Sequence, residues 1–154
     1  MNKILSSRLL EAHGVFIPHF IVVQKHNWKE EPIVDVEFPV VVKPADRGSS
    51  VGVSVAYTFG EFSDGIREAF EHSSKVIVEE FIPGREATCA VIESFRGRDV
   101  SALPPIEIVP PKKSSFFDYD AKYSGNTTER VPGNFSTGEK EELVHVARAV
   151  HEGL

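Results

Sequence analysis

The chain has 154 residues, of which 41% are hydrophobic and 26% are charged, and its formal net charge at pH 7 is -6. These values are those of an ordinary globular domain, so the composition favours neither disorder nor a membrane protein. No apolar run approaches the roughly 20 residues of a spanning helix, and the acidic balance argues against non-specific nucleic-acid binding. One cysteine, Cys89, excludes an internal disulfide framework and a cysteine-based zinc site. We therefore expect a cytoplasmic globular domain.

The segment before residue 37 combines one helix and one strand. Apolar residues at helical spacing predict a helix from Asn2 to Ala12, and Phe20 to Val23 predicts a short strand. The polar residues 24–36 predict a connection with room for one helical turn. A helical pattern begins next to Met1, and the chain ends where another helix has just finished. We therefore expect residues 1–36 to join an N-terminal domain of a larger protein.

Residues 38–55 carry a strand, a small-residue loop and a second strand. Val40 to Lys43 predicts a buried strand that ends in a lysine, and alternating valines predict another strand from Val53. Between them, Gly48-Ser-Ser-Val-Gly52 offers backbone N–H groups and two hydroxyls, which suit an anion. A phosphate clamp and an ordinary hairpin with a solvated Lys43 fit this pattern equally well. Neither a P-loop nor a Rossmann fingerprint is present.

Residues 58–84 predict a helix followed by a strand. Thr58-Phe-Gly-Glu61 matches a capping box, and one apolar stripe follows at helical spacing, formed by Phe62, Ile66, Ala69 and Phe70. Lys75 to Phe81 predicts a strand, which the turn-forming pair Pro83-Gly84 ends. Strand, helix and strand in this order favour an α+β unit with helices on one face of the sheet.

Three more strands are predicted before residue 110. Glu86 to Ile92 alternates between apolar and other residues, and it is followed by Val100 to Leu103 and Ile106 to Val109. A turn at Arg96 to Asp99 joins the first two of them. Short connections of this kind indicate antiparallel neighbours.

Residues 110–133 show neither a helical nor a strand period. Loops of this length are uncommon inside a compact domain and are usually functional or disordered. Four aromatic residues, Phe116, Phe117, Tyr119 and Tyr123, argue against plain disorder. We prefer a mobile cover over a site to a passive surface loop. A last helix is predicted from Thr137 to Gly153.

Five segments together resemble the ATP-grasp ligases and, within them, the D-alanine–D-alanine ligase family. They are, in chain order, Met1-Asn-Lys3, Val41-Val-Lys-Pro-Ala-Asp-Arg-Gly-Ser-Ser-Val-Gly52, Val78-Glu-Glu-Phe-Ile82, Pro83-Gly-Arg-Glu-Ala-Thr88 and Phe116-Phe-Asp-Tyr-Asp-Ala-Lys-Tyr123. The resemblance implies an ATP-grasp lobe at residues 37–109. It also implies that residues 110–154 hold the covering loop and the start of a C-terminal lobe.

The resemblance implies a nucleotide site with residues in named roles. Lys3 and Lys43 would neutralise the α- and β-phosphates of ATP, Ser49 and Ser50 would cover the phosphates, and Lys122 would meet the γ-phosphate. Glu79 and the backbone of Glu80, Phe81 and Ile82 would bind the adenine edge. Glu86 would bind the ribose, and Phe116 would pack on the adenine ring. Ser49, Lys122 and Tyr123 would form the catalytic set. As isolated residues, the three glutamates could instead be solvated, and Tyr123 and Phe116 could be loop packing.

By the same resemblance, the activity is ATP-dependent dipeptide formation from D-alanine through an acyl phosphate, for peptidoglycan precursor synthesis. Magnesium would be a cofactor, but its ligands are expected beyond residue 154, so no metal ligand is predicted here. We expect the isolated chain to be an incomplete, inactive portion of an enzyme that acts as a homodimer, with no nucleic-acid or membrane partner. Two alternatives stay open: another ATP-grasp carboxylate–amine ligase, and a non-catalytic binding domain with this fold.

Overall fold

The computed structural model describes residues 2–31, 36–110 and 127–154. Its elements are α1 (Lys3–Ala12), β1 (Phe20–Gln24), a 3-10 turn (Lys25–Asn27), β2 (Val40–Pro44), β3 (Ser54–Ala56), α2 (Phe59–His72), β4 (Lys75–Glu80), β5 (Glu86–Thr88), β6 (Val91–Phe95), β7 (Arg98–Ala102), β8 (Ile106–Val109), β9 (Thr128–Arg130) and α3 (Thr137–Gly153). No helix in this described part is long and apolar enough to cross a membrane.

The chain divides into two compact units. The first consists of Met1–Arg8 and Ile17–Pro83, and the second of Leu9–Phe16 and Gly84–Leu154. The α+β class with antiparallel sheets is confirmed in both units. The predicted lobe boundaries at residues 36 and 109 concern a longer protein and stay a prediction.

The first unit is built on one antiparallel sheet with the strand order β1-β4-β2-β3. Val42 of β2 lies opposite Val78 of β4 and Ser54 of β3. Helix α2 packs on one face of this sheet. The buried core between them contains Val40, Val42, Ala56, Phe62, Ile66, Ala69, Phe70, Val76 and Val78. The predicted apolar stripe of α2 therefore lies in the core.

Alternation along β2 and β4 divides their side chains between the two faces of the sheet. Successive strand residues point to opposite faces, so Val40 and Val42 face α2. Val41 and Lys43 then face the other way, and the register gives the same face to Ile77 and Glu79 of β4. Alternation together with this register therefore brings two charged side chains to one face of the sheet, opposite the helix.

The N-terminus of α2 is capped as the sequence predicts, with one difference. The Thr58 hydroxyl accepts a hydrogen bond from the Glu61 N–H at 3.3 Å. The Glu61 carboxylate accepts from the N–H of Tyr57 at 2.7 Å, one residue before the cap. The helix start is thus fixed by both partners of the motif.

The second unit contains two small sheets and α3. Strands β5, β8 and β9 form one antiparallel sheet, and β6 and β7 form a hairpin. Glu107 of β8 is 5% exposed, and its carboxylate accepts from Arg130 Nη1 and from the Asn134 N–H, each at 3.2 Å. A capping box between Ser136 and Glu139 begins α3.

Two strand predictions in the second unit were wrong. The continuous strand from Glu86 to Ile92 is two strands, because the chain pairs with β8 up to Thr88 and with β7 from Val91. A bond from the Leu103 N–H to the Ala90 carbonyl at 2.8 Å lies at the change of partner. Residues 110–133 also contain a strand, β9, which pairs with β8. Its three residues are all exposed, so no apolar alternation marks it.

We expect Gly65→Ala to lower the free energy of unfolding by about 1–3 kcal/mol, as overpacking does. A Cβ at Gly65 would overlap the Ser54 hydroxyl and contact Val42 Cβ at 3.5 Å. Gly60→Ala is the matched control in the same helix, because only Thr58 Oγ1 lies near, at 4.0 Å. Urea unfolding at constant m-value measures both variants. Equal stabilities of the two variants would contradict the close approach of α2 to the sheet.

The capping box of α3 predicts a pH dependence of stability. Hydrogen bonding from the Ser136 backbone N–H, followed by bonding to its side chain, lowers the pKa of the Glu139 carboxyl. A carboxyl with a lowered folded-state pKa stabilises the fold above its unfolded pKa, and this contribution is lost as pH falls through the folded value. Glu139→Gln should therefore flatten the acid side of the stability curve below about pH 5. Urea titrations at several pH values, with Glu142→Gln as the charge control, measure this. An unchanged acid slope in Glu139→Gln would refute it.

Candidate nucleotide site

The face of the first-unit sheet opposite α2 carries a half-buried ion pair. Lys43 Nζ donates to Glu79 Oε1, and the side chains are 23% and 15% exposed. The two residues meet because they lie on neighbouring strands and on the same face. An ammonium has three N–H donors, and this bond uses one of them. Lys43 is therefore held in place, and within the described part of the chain two of its donors remain for an anion.

The loop after β2 has an unusual backbone. Ser49 and Ser50 have φ values of 53° and 58°, a left-handed region that costs non-glycine residues about 1–2 kcal/mol each. Both serine side chains are thus attached to backbone in a strained, left-handed conformation. Strain of this kind persists where surrounding structure imposes it, and it often marks ligand-binding segments.

Contacts at the base of this loop explain how that backbone is imposed. Gly52 has φ +66°, and a Cβ there would lie 2.6 Å from His72 Cδ2 and 3.0 Å from Pro44 Cγ. Arg47 Nε donates to the His72 carbonyl at 2.7 Å, at the end of α2. The Arg47 bond therefore holds the start of the loop to the end of α2. At the end of the loop, Gly52 packs against His72 and Pro44, where a side chain would overlap them.

Lys3 is joined to the start of the same loop. Its ammonium donates to the Pro44 carbonyl at 2.8 Å and to the Arg47 carbonyl, and its backbone N–H donates to the Ala45 carbonyl at 3.0 Å. Lys3 thus holds the end of β2 and the first loop residues. Its predicted phosphate contact stays a prediction.

The end of β4, predicted as an adenine edge, is held on both sides. The Glu80 N–H donates to the His19 carbonyl at 3.0 Å, and the Phe81 N–H donates to the Pro39 carbonyl at 3.1 Å. Among the described residues, no hydrogen bond is made by the Ile82 N–H. The N–H groups of Glu80 and Phe81 are therefore used in hydrogen bonds within the fold. In this segment, the Ile82 N–H is the donor that a ligand could use.

A small groove lies at this strand end. Its volume is about 230 Å³ and it is lined by residues from three segments, including Phe20, Val40, Val78, Glu79 and Glu80. Val40 and Val78 belong to the core on the α2 face of the sheet, so the apolar walls of this groove lie on the face opposite Lys43.

Of the remaining predicted residues, one belongs to the second unit and three lie outside the described residues. Glu86 is the first residue of β5, in the second unit, and pairs with Ile108. Phe116, Lys122 and Tyr123 lie outside the described residues. Within residues 2–31, 36–110 and 127–154, no group of three or more His, Cys, Asp or Glu side chains could hold a metal ion.

Sequence reasoning missed three contacts that shape this site. They are the packing of His72 against Gly52, the Arg47 bond to α2, and the bond between the Glu80 carboxylate and the His19 N–H at 2.8 Å. Of these, only Gly52 gave a signal, because glycine in a tight loop indicates either positive φ or a close neighbour. The other two depend on partners far away in the sequence.

Comparison with known proteins agrees with this fold. The family model described as "D-ala D-ala ligase C-terminus" matches residues 9–154. A D-alanine–D-alanine ligase of Desulfotalea psychrophila is 41% identical over 138 residues, which are 88% of this chain and 42% of that protein. D-alanine–D-alanine ligase B of Clostridium tetani is 37% identical over 161 residues, which cover 100% of this chain and 44% of that protein.

Solved structures of ligases of this kind also align with the chain. The VanG D-Ala:D-Ser ligase of Enterococcus faecalis aligns with a TM-score of 0.84 and 27% identity, covering 99% of this chain and 44% of that one. The D-alanine–D-alanine ligase of Bacillus anthracis aligns with a TM-score of 0.76 and 32% identity, covering 99% and 48%. This chain thus spans less than half the length of these four relatives.

The antiparallel sheet with its helix on one face and a lysine on the other is that of the ATP-grasp fold. Within that class, the chain belongs to the D-alanine–D-alanine ligase family, as the match over residues 9–154 shows.

The Lys43–Glu79 pair should be stronger than an exposed ion pair. A double-mutant cycle with Lys43→Met and Glu79→Gln is expected to give a coupling energy of about 1 kcal/mol or more, because partial burial reduces screening. The control is Arg67–Asp64, whose side chains are 61% and 73% exposed. Urea unfolding at low and high salt measures both cycles. A Lys43–Glu79 coupling no larger than the control, or equally salt-sensitive, would show that the pair contributes little.

Proposed function

We propose that this chain binds ATP as the nucleotide-binding portion of a D-alanine–D-alanine ligase. The observation that carries the proposal is Lys43, half-buried on the sheet face opposite α2 and held there by Glu79. A cation fixed in this way loses little conformational freedom when an anion binds, because its geometry exists beforehand.

The local chemistry fits a nucleotide. Lys43 keeps ammonium donors beyond its bond to Glu79, and Ser49 and Ser50 stand on the strained loop beside it in the chain. At the strand end that follows Glu79, the Ile82 N–H has no hydrogen-bond partner among the described residues. The charged phosphates of a nucleotide match Lys43, and the hydrogen-bonding edge of its base matches the Ile82 donor.

In the proposed reaction, ATP supplies the phosphoryl group that activates one D-alanine carboxylate as an acyl phosphate, and the amine of the second amino acid displaces phosphate. Lys43 would bind and orient the α- and β-phosphates as a point charge. The two serines would cover the phosphates and exclude water. Phosphate and ADP leave, and the dipeptide serves peptidoglycan precursor synthesis.

Five further residue roles belong to the proposal. Lys3 would add a phosphate contact, Glu86 would bind the ribose, Phe116 would pack on the base, and Lys122 with Tyr123 would complete the catalytic set. The family relationship supports these assignments. The described residues do not provide a magnesium site, so no step of the proposal runs through the metal. A cytoplasmic location and a homodimer of the whole enzyme stay predictions.

A second candidate function is a ligase of the same kind that joins a different amino acid to D-alanine. A solved structure that aligns with this chain at a TM-score of 0.84 is a D-Ala:D-Ser ligase, so D-serine is the alternative nucleophile to test. Both candidate functions require ATP to bind at the same site, so one test of nucleotide binding applies to both.

Calorimetry with MgATP tests the proposal on the 154-residue chain. Wild type should bind ATP weakly, and Lys43→Ala should weaken binding by about 10- to 100-fold, since bonds to charged groups contribute roughly 1.5–3 kcal/mol. Lys29→Ala removes an exposed lysine and serves as the charge control. Equal ATP affinities of wild type and Lys43→Ala would remove the phosphate role of Lys43.

A further inference from the structure

The last residue of β4 breaks the rule of the antiparallel ladder. In a hydrogen-bonded antiparallel pair, the two residues exchange both of their main-chain N–H···O bonds. Glu80 donates its N–H to the His19 carbonyl at 3.0 Å. The return bond is different, because the His19 N–H donates to the Glu80 side-chain Oε1 at 2.8 Å. The carboxylate has taken the donor that the Glu80 carbonyl would otherwise accept.

This substitution changes what the strand end can offer. No hydrogen bond among the described residues reaches the Glu80 carbonyl. The carbonyl is nevertheless fixed, because its own residue is bonded to His19 on one side and Phe81 is bonded to Pro39 on the other. A main-chain acceptor is thus kept in a set position without a partner.

The order of the available groups matches one kind of base edge. The acceptor at Glu80 is followed two residues later by the N–H of Ile82, for which the described residues show no partner. Adenine presents a 6-amino donor where guanine presents a 6-oxo acceptor. An unpaired carbonyl therefore favours the amino group and opposes the oxo group.

We propose that the Glu80 carboxylate is a positioning residue for base recognition: by holding the His19 N–H, it keeps the Glu80 carbonyl open for the 6-amino group of adenine. This inference rests on the proposed ATP binding and adds to it the residue that keeps the base acceptor available. Without the carboxylate, the His19 N–H closes the ladder onto that carbonyl.

The test compares two nucleotides that differ only in the amino group. ATP and purine riboside 5′-triphosphate are titrated, with Mg²⁺ present, into wild type, Glu80→Ala and Glu80→Gln. Wild type should prefer ATP. In Glu80→Ala the ratio of the two affinities should fall by roughly 3- to 10-fold, the value of one neutral hydrogen bond. The affinity for purine riboside 5′-triphosphate, which lacks the amino group, should be unchanged. Glu80→Gln keeps an acceptor at the same reach and should retain the preference.

The control and the contrary outcomes separate this role from a structural one. Glu71→Ala removes an exposed carboxylate of α2 and should leave both affinities unchanged. If Glu80→Ala only disturbed the local structure, it would lower the affinities for both nucleotides equally, and that result overturns the inference. Equal binding of the two nucleotides by wild type would also overturn it, although the nucleotide site itself would stand.

A measurement without nucleotide tests the hydrogen-bond geometry of the inference by itself. NMR scalar couplings across hydrogen bonds identify the acceptor of the His19 N–H. The coupling should reach the side-chain carboxyl carbon of Glu80 in wild type and the main-chain carbonyl carbon in Glu80→Ala. A wild-type coupling to the main-chain carbonyl refutes the inference. Failure of wild type to bind either triphosphate refutes the proposed function, and with it the base-recognition role.

Discussion

The antiparallel register of β2 against β4 is the constraint on which the rest of this structure depends. It sets Val42 opposite Val78 on the helix side and brings Lys43 to Glu79 on the other side. Because the side-chain period is two, a slip of one residue would turn the valines to solvent and bury the charges. Burial of the core thus also fixes the cation that the proposed function needs.

The loop after β2 and the end of β4 carry the backbone features on which the proposed nucleotide site depends. Ser49 and Ser50 are held in left-handed backbone, although neither is glycine, by a base that Gly52, His72 and Arg47 close. At the end of β4, a side chain replaces a main-chain acceptor in the ladder. Both features depart from regular backbone geometry.

Family membership and local geometry support different parts of the functional conclusion. The match over residues 9–154 gives the fold and the family. The half-buried Lys43 and the main-chain groups at the end of β4 give reasons why this part of such an enzyme would bind a nucleotide. Since the chain spans less than half the length of the relatives compared, the dipeptide-forming activity is a proposal about the whole enzyme.

The sequence by itself determined the elements whose residues bury an apolar face. Helix α2 and strands β2 and β4 followed from period and capping, because burial of their stripes is a local pattern repeated many times. Strand β9 was not predictable, since all three of its residues are exposed. The break after Thr88 was hidden too, because the alternation runs on while the partner strand changes.

Only the tertiary structure decided which polar groups meet. Lys43 and Glu79 are 36 residues apart, and His19 and Glu80 are 61 apart. The sequence showed that Lys43 ends a buried strand, but it could not name the carboxylate that holds the ammonium. Such pairings depend on strand order and register, which are set by the sum of all core contacts and not by any short stretch of residues.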